Sequence, residues 1–144
     1  MDGVSLEVLY PIEAPVAGET DANDVSVVIR VRYGAFEALL TGDAPASVER
    51  IIARDLTEGV EVLKVAHHGS DTSTDSLLLA RARPEAALIS VGRGNRYGHP
   101  AAAVVSRLER AGVDLYRTDR QGTLRLRARR DGRFTVETEA RTRR

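Results

Sequence analysis

The 144-residue chain holds three histidines, His67, His68 and His99, and two of them are adjacent. Each sits in a glycine-flanked loop directly behind an apolar run of strand type. Asp43 stands in the same kind of place, in Thr41-Gly42-Asp43 behind the run AFEALL. Four ligand candidates therefore come from the ends of three successive strands. In open α/β sheets, ligands bind beyond the carboxyl ends of the strands. Nitrogen and oxygen donors of this kind suit zinc or manganese. A carboxylate can also bridge two ions about 3.5–4 Å apart, the arrangement used to hydrolyse phosphate esters. Taken singly, a Gly-Asp pair is commonly a turn or helix cap, and paired histidines are commonly surface residues. Taken together at strand ends, the four point to a metal or catalytic site. If a strand ran on through both His67 and His68, their side chains would face opposite ways. One of the two then ligates while the other packs or supports it as an outer partner. The residue types leave open which.

The elements that must position these residues follow from periodicity and punctuation. Leu6–Tyr10 reads as a strand stopped by Pro11, and 12–24 as a loop. Val25–Tyr33 alternates and is β-branched, and Gly34 turns it into a hairpin with Ala35–Thr41. Ser47–Leu56 has helical apolar spacing, with Pro45 near its start. Val60–Ala66 is a strand, Thr72–Arg83 a helix with Ser70 placed to cap it, and Glu85–Val91 a strand buried on both faces. The loop 92–100 is dense in glycine, and Ala101–Ala111 is a helix closed by Gly112. Val113–Arg117, Gly122–Ala128 and Phe134–Thr138 are strands, the last two joined by a turn at Arg130-Asp131-Gly132. Alternating strands and helices with hairpins at both ends predict an α/β fold on a mixed sheet.

Composition narrows the partners. Cysteine is absent, which excludes disulfides and thiolate metal sites. Formal net charge is zero, from 21 basic and 21 acidic residues, so the whole-domain basic field of many DNA binders is missing. Twelve arginines do fall between Arg107 and Arg144, and residues 140–144 read as a solvated, disordered basic tail. All but one of the 21 basic residues are arginine. No apolar run approaches the roughly 18–20 residues of a membrane span, and the first residues lack the pattern of a secretory signal.

Several motifs, in order, resemble a known family. Leu39-Leu40-Thr41-Gly42-Asp43, Val62 through Ser70 (VLKVAHHGS), Ile89-Ser90-Val91-Gly92 with Asn95-Arg96-Tyr97-Gly98-His99-Pro100, and Val113 through Asp119 are similar to the C-terminal hydrolase domain of the ComEC family of DNA-uptake proteins. The likeness runs from about Gly3 to Glu139. Thr-Gly-Asp alone is common, but followed by His-His-Gly-Ser and Tyr-Gly-His-Pro it is specific.

The resemblance implies the αββα sandwich of the metallo-β-lactamase fold, of which this chain is the second half, a single partial domain over 1–144 with a mixed sheet and helices on one face. It implies that Asp43 is a metal-bridging aspartate and that His67 or His68 is the last histidine ligand. His99, and His68 with it, become candidate catalytic groups that position the phosphate or protonate the leaving group. Arg93, Asn95, Arg96, Tyr97 and Ser70 become candidate substrate contacts, with the arginines on the nucleic-acid backbone. Asn23 and Ser26 match the family's polar lead-in to its second strand and read as structural. The family's His-x-Asp-x-Asp-His run, which supplies most metal ligands, is nowhere in this sequence. A two-ion site needs roughly six protein ligands, so this chain is expected to bind zinc or manganese weakly and to be inactive by itself. By the same resemblance the whole protein would be a metal-dependent DNase of natural competence, tethered to transmembrane segments with this domain on the non-cytoplasmic side. The expected partners are DNA, the missing first half of the domain, and a second copy through an apolar inner sheet face. Two other readings stand beside it: a hydrolase of the same fold acting on small esters or phosphodiesters, and a non-catalytic half-domain that docks DNA or a partner.

Overall fold

The alternation of valine, isoleucine and arginine in VIRVRY makes β2 (Val28–Tyr33), and Gly34 returns the chain as β3 (Phe36–Leu40). Glycine is required there. At φ +64° the residue is left-handed, and a Cβ would stand 2.3 Å from the carbonyl oxygen of Arg130. The same carbonyl accepts the Ala35 N–H at 2.8 Å, so this turn is tied to a distant one.

A computed structural model of the chain describes residues 3–13 and 21–139. The expected tail at 140–144 lies outside the described residues. Six strands form one sheet in chain order: β1 (Val4–Tyr10), β2, β3, β4 (Val62–Lys64), β5 (Ala86–Ile89) and β6 (Asp114–Arg117). The first three are antiparallel and the last four parallel. Parallel neighbours need crossovers, and these are α1 (Ala46–Asp55), α2 (Ser76–Ala82) and α3 (Ala102–Arg110). Crossovers advancing the same way across one sheet fall on one face. Their apolar residues, among them Val48, Ile52, Leu78, Leu79, Val104 and Leu108, close a single core with Leu39, Leu63, Ala87 and Ile89 of the strands. Fully burying each such side chain stabilises the fold by about 1.5–3 kcal/mol.

The α/β class and mixed sheet are as expected from the sequence, and the refinements have local causes. Most strands are trimmed by one to three residues, and Val60–Ala66 contracts to Val62–Lys64 because the chain turns sharply at Ala66–Gly69. The helix expected from Thr72 begins at Ser76, and Asp75, not Ser70, is its cap, accepting the Leu77 N–H at 2.8 Å. An additional short helix, α4 (Thr118–Gln121), follows β6.

The largest departure is at the end of the chain. β7 (Leu124–Ala128) and β8 (Phe134–Thr138) pair only with each other and lie across the sheet face opposite the helices. Phe134 meets Phe36 with ring centroids 6.0 Å apart, over Ala38, Val62 and Ala86. The hairpin covers only part of that face. One cross-strand row reads Val8, Ile29, Leu40, Lys64, Leu88 and Tyr116, and along it and beside it Leu6, Val8 and Leu40 are 55%, 61% and 39% exposed. Among the described residues no helix is long and apolar enough to cross a membrane.

Candidate metal and phosphodiester site

The sheet delivers its loops after β3, β4 and β5 to one end, and those loops brace one another. Thr41, fully buried, donates its hydroxyl to the Lys64 carbonyl at 2.6 Å. The His67 N–H donates to the Gly42 carbonyl at 3.1 Å. Ser26 accepts the Asp43 N–H on its hydroxyl oxygen at 3.2 Å, so its structural role includes holding the aspartate.

His67 and His68 do not continue β4. Both have left-handed backbones, at φ 48° and 54°. Non-glycine residues rarely adopt that region, at a cost of order 1–3 kcal/mol each, and such residues cluster at functional sites. The turn separates the two rings. His68 directs Nδ1 to the Ser90 carbonyl at 2.7 Å. A carbonyl can only accept, so Nδ1 carries the hydrogen of this bond, and Nε2 is the ring nitrogen left to meet a ligand. That Nε2 lies 3.8 Å from Asp43 Oδ1, with the two side chains 49% and 42% exposed. The gap is too long for a hydrogen bond. It is short enough for one cation to touch both atoms at about 2.0–2.2 Å. His67 is half-buried and packs its ring at 60° to that of His99, with centroids 5.8 Å apart.

The remaining expected residues divide by role. Asn95 clamps its own loop: Nδ2 donates to the carbonyls of Gly92 at 3.2 Å and His99 at 2.6 Å, while Oδ1 accepts the His99 N–H at 3.0 Å. Tyr97 is 83% exposed, with its ring 6.0 Å from His99 and nearly parallel to it. Arg93 donates to the Asp119 carbonyl at 2.9 Å, and Arg96 is exposed. Ser70 is buried, its hydroxyl 3.0 Å from that of Thr72. A cavity of about 490 Å3 lies among His68, Val91, Asn95, Tyr97, His99 and Thr118. A larger cleft of about 1200 Å3 opens at the other end of the strands, between Glu61, Glu85 and Asp114 and the hairpin arginines Arg127 and Arg133. It contains none of the histidines.

Two residues of this site were not singled out from the sequence. Thr118 accepts the Val91 N–H at 2.7 Å and donates to the Val91 carbonyl at 2.8 Å, which fixes the segment carrying Ser90. Beside it, Arg117 grips Asp119 with bonds of 3.0 and 2.7 Å and holds that carboxyl below its usual range. Lys64 stands between Leu40 and Leu88 and donates Nζ to the Val65 carbonyl at 2.8 Å. Burial lowers its pKa, and the negative charge of Asp43 works against that shift. Its being the one lysine among arginines was the available signal.

No family model matches the chain. It is 40% identical over 124 residues to Recombination protein 2 of Haemophilus influenzae, which covers 86% of this chain and 15% of that protein. It is 36% identical over 135 residues to ComE operon protein 3 of Bacillus subtilis, covering 92% of this chain and 17% of the relative. The chain is a homologue of one segment of competence proteins. Competence protein ComA of Neisseria gonorrhoeae shows the same, at 37% over 133 residues, or 91% of this chain and 19% of its own length. The chain thus spans less than a fifth of the length of each of these competence relatives. Among the described residues, no group of three or more His, Asp or Glu side chains is gathered closely enough to hold a metal ion alone.

Proposed function

We propose that this chain is the second half of a metal-dependent phosphodiester hydrolase of the ComEC family, acting on DNA during uptake in natural competence. The observation that carries the reading is the Asp43–His68 pair, with Nε2 and Oδ1 3.8 Å apart and Nδ1 tied to Ser90. A histidine whose second nitrogen donates to a carbonyl has its ligating nitrogen and ring orientation set in advance, as metal-bound histidines do. His68 is then the metal ligand and His67 the packing partner of His99. Asp43 and His68 form part of a ligand set, and the rest comes from the preceding half of a metallo-β-lactamase sandwich, seated on the sheet face that exposes Leu6, Val8 and Leu40. In the absence of that half, the same face favours self-association. The tether of the whole protein is transmembrane, with this domain on the non-cytoplasmic side.

A bound divalent ion would polarise the phosphodiester and make an attacking water acidic. The chain's own residues orient and protonate. Asp43 and His68 would hold the ion, Arg96 would contact backbone phosphate, and His99 would position the phosphate or protonate the leaving oxygen. The test is hydrolysis of linear single-stranded and plasmid DNA by the full-length protein with zinc or manganese, beside a small ester and a small phosphodiester. DNA cleavage abolished by D43N and by H68A supports the reading. Cleavage of the small ester alone, or DNA cleavage that survives D43N, contradicts it.

A further inference from the structure

Tyr97 is the most exposed large apolar side chain among the described residues, at 83%. Its loop is nonetheless fixed by the three hydrogen bonds of Asn95 to Gly92 and His99. The ring is therefore displayed by a braced loop. It lies at 19° to His99 with centroids 6.0 Å apart, and His99 lies 5.8 Å from His67. Three rings thus lead from the solvent rim inward to the paired histidines, along a cavity of about 490 Å3 that Tyr97 and His99 line with Val91. Arg93 and Arg96, both exposed, belong to the same loop. A displayed aromatic face beside guanidinium groups is the arrangement that binds single strands, the ring taking a base and the cations the backbone.

We propose that Tyr97 is a stacking platform for one unpaired nucleobase at the mouth of the site, so that the site accepts single-stranded nucleic acid in preference to duplex. Inside a duplex both faces of every base are covered by neighbours, and a base reaches Tyr97 only after leaving the stack. Stacking uses the π-face common to all bases, so sequence preference is small. This inference rests on the DNA reading given above and adds to it the form of the substrate.

The experiment is fluorescence anisotropy with the native chain, Y97A and Y97F, using a short oligothymidylate, an abasic strand of equal length and a duplex. All titrations are run with a chelator present, so that metal binding plays no part. The native chain is expected to prefer oligothymidylate to both the abasic strand and the duplex. Y97A weakens oligothymidylate about 5- to 150-fold and leaves the abasic strand within twofold, and Y97F binds like the native chain. Equal affinity of the native chain for all three probes overturns the proposal. So does a Y97A loss of the same size on the abasic strand, which marks a collapsed loop. Metal-dependent cleavage by the full-length protein is scored separately: stacking without cleavage sinks the hydrolase reading and leaves the platform, and cleavage without stacking does the reverse.

Discussion

Glu49 reaches out of α1 and accepts the backbone N–H of Asp75 at 2.6 Å, fastening the first crossover helix to the start of the second. Glu49 is 1% exposed. Burial raises its pKa, and the charge of Asp75 adds to this. Hydrogen bonds from the Asp75 and Thr74 backbones and the charge of Arg107 oppose it.

The direction fixes a pH dependence. A carboxyl whose folded pKa lies above its unfolded value of 4.5 contributes stability that is complete below that value. The contribution is lost as pH rises through the folded pKa. Denaturant midpoints measured from pH 4 upward should therefore fall in the native chain relative to E49Q, which has no proton to lose. A native-minus-E49Q difference that is flat, or that rises with pH, would show that the hydrogen bonds outweigh burial. Asp119 has the opposite sign: its stabilisation by Arg117 is present above the ordinary value of 3.8 and disappears below it.

Lys64 offers a direct reading of the electrostatics beside Asp43. As the one lysine, it gives a single set of side-chain NMR signals. Its titration midpoint is expected below the ordinary 10.5, because burial disfavours the ammonium. D43N removes the carboxylate that opposes this and should lower the midpoint further. A midpoint that rises, or does not move, would mean that the two side chains do not share a site.

Gly69 is held at φ +82°, where an added Cβ would stand 2.6 Å from Cβ of Pro100. Its carbonyl accepts the Ala101 N–H at 2.8 Å, so it joins the histidine turn to the start of α3. G69A combines left-handed strain with overpacking and should destabilise the chain by about 2–4 kcal/mol, read as a shift in denaturant midpoint. A loss below about 0.5 kcal/mol would show that the two loops are not packed as described.

Much of this arrangement was legible in the residues. The β-branched runs, the glycine and proline breaks, and the placing of Asp43, His67, His68 and His99 at strand ends all survive in the fold. The helix start was misplaced because Ser70 and Asp75 are both good caps by type. Local bonds among Ser70, Thr72 and Ser73, with the Thr72 carbonyl and the Asp75 N–H bonded to Ala46 and Glu49 of α1, hold 70–75 out of the helix. The β7–β8 hairpin was assigned to the main sheet because local alternation does not say which strand a strand will pair with. Dipeptide identity leaves His67 and His68 undistinguished, because it does not encode the left-handed turn that sends their rings to different partners. Thr118 bonds a segment 27 residues away, a relation no local pattern carries.

The central claim is that Asp43 and His68 form part of a metal site. Calorimetry with zinc and with manganese on the purified chain tests it most directly, with D43N, H68A and H67A alongside. The account predicts weak binding of at most one ion per chain, abolished by D43N and H68A and retained by H67A. Tight binding of two ions, or binding that H67A abolishes and H68A spares, would contradict it.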